Sequence, residues 1–190
     1  MLRRAFAVTF RPHQEWETIA HERPAALGVL LRYVAPLAAI PAVAWMIGLA
    51  VFGMELVVAG EPISRPEPAA ILRAGLITYV GSILSVALLA GAFGLIAPMY
   101  GPRRDWRGAW TVAAYWTTPA WLLGIVLAKP ALFVAMLVVS LHCTYLYYCG
   151  LRALGLAREG EAAEYVAVAI VLVLTASTLA GGLFNVFGIF

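Results

Sequence analysis

From Ile71 to Ile96 the chain reads ILRAGLITYVGSILSVALLAGAFGLI, with a single charge, Arg73, near its start. At about 1.5 Å per residue such a run matches the roughly 30 Å hydrocarbon core of a bilayer. Four further apolar runs accompany it, from about Leu30 to Phe52, Ala109 to Leu127, Ala131 to Leu151, and Tyr165 almost to Phe190. One such run fits the core helix of a soluble domain, but five in 190 residues have no core large enough to hide in. The chain is 63% hydrophobic and 12% charged, with a mean hydropathy of +0.89, whereas soluble domains are about half apolar and a quarter charged. Lipid is the remaining solvent for that excess. The expected fold is an all-α membrane protein of five transmembrane helices preceded by a short amphipathic interfacial helix. Residues 1–29 form a cytoplasmic N-terminal segment and residues 30–190 the five-helix transmembrane domain.

The breaks between runs carry turn or charge signals: GEPISRPEP, YGPRRDWRG, AKP and RALGLAREGEAAE. Lys129-Pro130 is the shortest break and predicts a tight antiparallel hairpin of the third and fourth spans, with Pro130 in the first turn of the fourth. Basic residues set the orientation. Arg3, Arg4, Arg11, Arg23, Arg32, Arg103, Arg104, Arg107, Arg152 and Arg158 fall on one side, against Arg65, Arg73 and Lys129 on the other. The N-terminus is therefore expected in the cytoplasm and the C-terminus outside. Trp106, Trp110, Tyr100 and Tyr165 suit a cytoplasmic interfacial belt.

The N-terminus MLRRAFAVTFRP has too short an apolar part for a secretory leader and is expected to be retained. Pro12 opens a helix with Glu15 and Glu17 near its positive end. Trp16, Ile19 and Ala20 share one face, and Pro24 stops the helix. This helix is expected either in the headgroup region, with Pro12, Trp16 and Ile19 as interfacial anchor or partner contact, or as a cap on the cytoplasmic end of the bundle.

The order of these pieces resembles the Yip1 domain family in its bacterial branch. The features are Arg11-Pro12, three residues, then Trp16 and Ile19; RYVAPLAAIPAVAWMIG entering the first span; AYWTTPAWLLGIVLAKPALFVAMLV across the third and fourth; YLYYCGLRALG closing the fourth; and Glu164-Tyr165 opening the fifth. The resemblance covers nearly the whole chain. It implies a five-span helical domain with a cytoplasmic N-terminus, in the bacterial inner membrane. Eukaryotic members are associated with small GTPases and vesicle traffic through a longer N-terminal region than the residues preceding the first span here. Bacterial members have no established reaction, and a permease-like role is an open suggestion.

Polar groups at membrane depth are expensive and often functional. His142, Tyr145 and Cys149 lie near one face of the fourth span. They read either as a meeting of imidazole, phenol and thiol, or as a neutral histidine bonded to a neighbouring helix. Two cysteines, Cys143 and Cys149, make no disulfide framework. Thr117, Thr118 and Pro119 break the third span, and Pro36 and Pro41 kink the first. Such kinks line a path in transporters or are satisfied by the threonine hydroxyls and a neighbouring helix. In the second span Gly81/Ser85, Ala87/Gly91 and Ala90/Gly94 suit close helix packing. Asn185 in the fifth should face a helix or the outer interface. Arg103, Arg104 and Arg107 with Trp106 form a basic loop suited to anionic headgroups, or simply the charge that fixes topology.

The chain has no P-loop, no zinc-protease helix, no Gly-x-Ser-x-Gly elbow and no acidic residue deep within a span. A proton-driven pump is thereby disfavoured. No cofactor, metal site or nucleic-acid partner is expected; the expected partners are membrane lipids and a membrane protein or second copy. The leading reading is a non-enzymatic accessory or organising membrane factor. The alternative is a small permease or channel along the kinked first and third spans.

Overall fold

The structure, a computed structural model, describes residues 1–52, 66–100, 105–124, 133–158 and 160–186; the side chains at 52, 133–137, 174 and 176–186 are outside that description. Helices α1 (Leu2–Phe10) and α2 (Pro12–Glu22) form a hairpin. A continuous helical segment follows: α3 (Ala26–Val29), a π-turn over Leu30–Val34, and α4 (Ala35–Phe52). Then come α5 (Pro68–Tyr100), α6 (Trp106–Trp116), α7 (Thr118–Leu122), α8 (Phe133–Ala153) and α9 (Ala162–Val186). No strand occurs among the described residues.

Helices thus stand where each of the five apolar runs was expected. By length and composition two qualify to cross a membrane, Ala26–Val51 and Pro68–Tyr100, and Ala162–Val173 is a shorter apolar stretch. The expected short break at Lys129-Pro130 lies outside the described residues. The 33 residues of α5 give a rod about 50 Å long at 1.5 Å per residue. It packs against α4, α6 and α9, while α8 packs against α2, α6, α7 and α9.

Prolines set the local irregularities. Pro36 has no N–H to offer the carbonyl of Arg32, one turn back. The chain answers with the π-turn, in which the Ala35 N–H reaches back five residues to the Leu30 carbonyl. Pro41 lies inside α4. Asp105 caps α6 by accepting from the Gly108 N–H at 2.9 Å. That helix stops at Thr117, ahead of Pro119, and α7 restarts it.

An aromatic core ties four helices together. Phe93 of α5 stacks on Tyr147 of α8 with ring centroids 4.4 Å apart, and meets Trp116 of α6 edge-on at 5.7 Å. Tyr165 of α9 meets Tyr147 edge-on at 6.0 Å and donates to the Phe93 carbonyl at 2.7 Å. Tyr165 is therefore a core residue and not part of an interfacial belt; its hydroxyl is consumed inside the protein. Small residues on α5 permit some of this packing. A Cβ on Gly94 would fall 2.3 Å from the Trp106 ring, and one on Gly75 2.3 Å from the Met46 sulfur, whereas Gly81 and Gly91 face open space. Of the three small-residue pairs on α5, Ala90/Gly94 is packed within the bundle.

Candidate functional site: the docked N-terminal hairpin

The polar residues of the chain converge where α1 and α2 meet α6, α7 and α8. Trp16 is fully buried. Its indole lies edge-on to Tyr115 with centroids 6.0 Å apart, and packs so closely on Gly150 that a Cβ there would come within 2.8 Å of the ring. Ile19 is buried beside it, and Ala5 and Val8 of α1 join the same core. The apolar face of α2 therefore packs on the bundle, as in the second of the two arrangements expected, and Trp16 does not reach the headgroup region. The physical reason is Gly150, whose missing side chain leaves a slot for the indole. Pro12 holds the first position of α2 as expected, and the helix ends at Arg23 in the left-handed region (φ 43°) just before Pro24.

Hydrogen bonds from the bundle close the ends of both hairpin helices. The last carbonyls of a helix have no partner within it. His142 of α8 meets the Thr9 carbonyl at the end of α1 through Nε2, 2.8 Å away. Because a carbonyl only accepts, that nitrogen carries the proton. Beyond α2, Arg107 donates Nε to the Pro24 carbonyl at 3.1 Å and its Nη2 to the Arg23 carbonyl. The Tyr145 hydroxyl bonds His13 Nε2 at 2.8 Å. Thr9 by His142, His13 by Tyr145 and Trp16 by Gly150 show α2 running alongside α8 in the same direction. From His142 to Gly150 is about 12 Å along α8, so the corner of the hairpin reaches toward the middle of that helix.

Inside the hairpin Arg4 bridges two carboxylates, Glu15 at 2.9 Å and Glu22 at 2.7 Å. The hydrogen bond from Arg4 lowers the Glu22 pKa against a smaller opposing desolvation, and the bond from Glu22 is the main cause raising that of Arg4. A depressed carboxylate stabilises the fold above its ordinary pKa and loses that contribution as pH falls through the depressed value. The Arg4 contribution, raised in pKa, is present throughout the neutral range. Hairpin protection from protease is thus expected to be flat near neutrality and to decline in acid below the ordinary glutamate range. The decline should be shallow, since Glu22 is exposed and screened. Arg4→Gln should remove that acid limb; its persistence would assign it to another group.

Next to this pair lies the break in the third apolar segment. Thr118 is fully buried and its hydroxyl meets the Tyr33 hydroxyl, 2.7 Å away, from the π-turn. Thr117 donates to the Ala114 carbonyl at 3.2 Å. At the break before Pro119, Thr117 thus bonds a backbone carbonyl of α6, while Thr118 ties α7 to the Tyr33 hydroxyl of a neighbouring segment. Pro36 lies just after the π-turn, and Pro41 packs on Gly124 so tightly that a Cβ on the glycine would sit 2.8 Å from the proline Cβ. That contact brings the two kinked segments together at their crossing. Gly124→Val should destabilise the protein by about 1–3 kcal/mol, because the obstacle is a proline ring and its backbone rather than a mobile side-chain end. A melting temperature in detergent equal to that of the native chain would show that this crossing is loose.

His142, Tyr145 and Cys149 share one stretch of α8, and Tyr145 interacts there with the Cys149 side chain. The first two hold the hairpin, with ring centroids 6.1 Å apart. Cys149 is buried and lines a cleft of about 270 Å³ between α2 and α8 with His13, Glu17, Tyr148 and Arg152. Cys143 and Cys149 are both free thiols. Among the described residues no group of three or more His, Cys, Asp or Glu could hold a metal ion. Arg107, expected either on lipid headgroups or as part of the charge that fixes topology, donates to the two carbonyls after α2. Arg103, Arg104 and the Asn185 side chain lie outside the described residues. Sequence reading missed Arg4, Thr9, His13, Glu22 and Gly150, and separations of up to 133 residues between partners leave no local signal for them.

An all-helical chain whose long helices are apolar and whose N-terminal hairpin is stapled to the bundle defines the class. The sequence matches the Yip1 domain over residues 6–181. The chain belongs to the Yip1 domain family and is a membrane-associated protein. The matched region includes most of the hairpin together with α3 to α8 and much of α9. No curated protein and no solved structure matches it significantly.

Proposed function

We propose that this Yip1-family chain crosses the bacterial inner membrane five times, with its N-terminus in the cytoplasm and its C-terminus outside. It works there without catalysis, as an accessory or organising factor whose docked hairpin is the working surface. The observation that carries the membrane reading is a row along α5: Leu72, Leu76, Val80, Leu84, Leu88 and Leu95 are each between 55% and 66% exposed. An unbroken apolar ridge of that length suits lipid and would be a liability in water. Val43, Ile47 and Val51 on α4, and Val138 and Leu141 on α8, face outward in the same way. The excess of arginine at the N-terminus and in the YGPRRDWRG and RALGLAREGEAAE loops supports the orientation.

The non-catalytic reading is supported by how the polar groups are used. His142, Tyr145, Arg107 and Arg4 all bond elements of the hairpin, so each contributes to its placement. A reporter fused after Phe190 should be active outside the cytoplasm; a cytoplasmic signal would overturn the five-span topology. Purification in mild detergent from the native host, with mass spectrometry, should yield a stoichiometric membrane-protein partner. A chain that purifies alone and supports flux in liposomes would replace the accessory role with transport.

A further inference from the structure

The hairpin turns one apolar ridge inward and another outward. While Ala5 and Val8 of α1 are buried, Leu2, Phe6 and Phe10 on its other side are 50%, 52% and 74% exposed. The Phe6 and Phe10 rings stack with centroids 6.2 Å apart and planes within 11°. Together they make one continuous apolar plate at four-residue spacing.

Charge is arranged around this plate in a specific way. Arg4 is paired with both Glu15 and Glu22, a triad of net charge about −1 that the two remaining arginines outweigh. Arg3 and Arg11 are exposed and line a groove of about 760 Å³ beside the plate, with Gln14 and Thr18 on its α2 side. The acid on that groove, Glu15, is already committed to Arg4. The groove is therefore cationic and edged by phenylalanine.

Its position names the occupant. The His142–Thr9 and Tyr145–His13 bonds fix the hairpin corner against α8. The neighbouring α8 residues Val138 and Leu141 are 67% and 72% exposed. Phe10 follows Thr9, whose carbonyl meets His142, so the Phe10 end of the plate lies near the stretch of α8 that carries these outward apolar residues. A surface that adjoins a lipid-facing row and ends in arginines has the chemistry of the acyl–phosphate boundary of an anionic leaflet.

We propose that α1 is an interfacial wedge: Phe6 and Phe10 enter the acyl region of an anionic phospholipid leaflet while Arg3, at the end away from the hairpin corner, holds its phosphates and Arg11 extends back along the groove toward them. This rests on the reading that α8 spans the bilayer. In it the membrane contact of the N-terminal segment belongs to α1, and Trp16 on α2 holds the hairpin to the protein.

The test uses the full chain in phosphatidylcholine vesicles with and without phosphatidylglycerol. A nitroxide is placed by Phe10→Cys, by Leu84→Cys on the α5 row, and by Glu17→Cys on exposed α2. Cys143 and Cys149 are buried, and labelled native chain supplies the background. Relaxation by oxygen relative to a water-soluble nickel chelate should be several-fold higher at Phe10 than at Glu17, and comparable to Leu84. Phosphatidylglycerol should move the Phe10 label deeper, and Arg3→Gln with Arg11→Gln should cancel that shift. Nickel access at Phe10 with oxygen access at Leu84 would overturn the wedge and leave the membrane reading standing. Nickel access at both would overturn the two together. A Phe10 label shielded from both reagents would mean that a protein surface covers the plate, and would overturn the wedge. No response to phosphatidylglycerol would remove the part assigned to Arg3 and Arg11.

Discussion

Trp16→Ala will release the N-terminal hairpin while the helices beneath it stay assembled. The indole is fully buried between Tyr115 and the Gly150 slot, and truncating a buried tryptophan costs about 3–5 kcal/mol in lost transfer energy and unfilled space. That loss falls on the contact between α2 and α8, leaving the hairpin tied by the smaller buried side chains Ile19, Ala5 and Val8 and by a few hydrogen bonds worth about 1 kcal/mol each. Limited proteolysis should then cut near Arg11 or Arg23 at protease concentrations that leave the native chain intact, while far-ultraviolet circular dichroism changes little. Trp16→Phe should restore most of the protection. The indole N–H has no partner among the described residues, so phenylalanine loses volume but no hydrogen bond. Gly150→Val, which fills the slot from the other side, should reproduce the exposed hairpin. Native protease resistance in both Trp16→Ala and Gly150→Val would mean that the hairpin is held by its polar staples and not by the indole.

The contrast between these elements explains what the sequence made legible. Long apolar runs bounded by turn residues locate helices α4 to α9 well, because the period and length of such runs leave few other outcomes. Pro24, Pro36 and Pro119 mark an end, a π-turn and a break for the same reason: a missing N–H acts locally. The face of α2 carrying Trp16 and Ile19 was also legible. What faces it was not, since an amphipathic stripe reads alike whether lipid or protein covers it. The deciding residue, Gly150, is remote in sequence and carries no signal beyond being small.

Helix α1 was hidden for a related reason. Its inward face is only Ala5 and Val8, too slight to register against Arg3, Arg4 and Arg11, so the stretch read as a short apolar patch among charges. The arginines were counted together toward a charge bias, but their individual duties differ. Arg4 is paired inside the hairpin and Arg107 closes the chain after α2, while Arg3 and Arg11 remain on the surface. A charge count sums over these duties and cannot separate them. The same holds for His142, where periodicity grouped it with Tyr145 and Cys149. In the structure Tyr145 adjoins both others, while His142 and Tyr145 also bond the hairpin and Cys149 lines a cleft.

Phe93→Ala should have the opposite signature to Trp16→Ala: a large fall in the stability of the bundle itself. Phe93 is 1% exposed and touches Tyr147 and Trp116, and its carbonyl receives the Tyr165 hydroxyl. Removing the ring is expected to cost about 3–5 kcal/mol, spread over α5, α6, α8 and α9 because each contributes an aromatic side chain to the cluster. Its three partners, Trp116, Tyr147 and Tyr165, are rigid rings on separate helices, so the void cannot close without moving a backbone. The melting temperature in detergent should drop further than for Trp16→Ala, and the loss should be cooperative across far-ultraviolet signal and protease resistance alike. Phe93→Leu should recover part of it by refilling volume without the stacking on Tyr147. If Phe93→Ala instead freed the hairpin alone, the aromatic cluster would be peripheral and the bundle would be held chiefly by α4 against α5. If both variants lowered the same single transition equally, hairpin and bundle would be one cooperative unit, and the hairpin could not act as a separately displaceable surface.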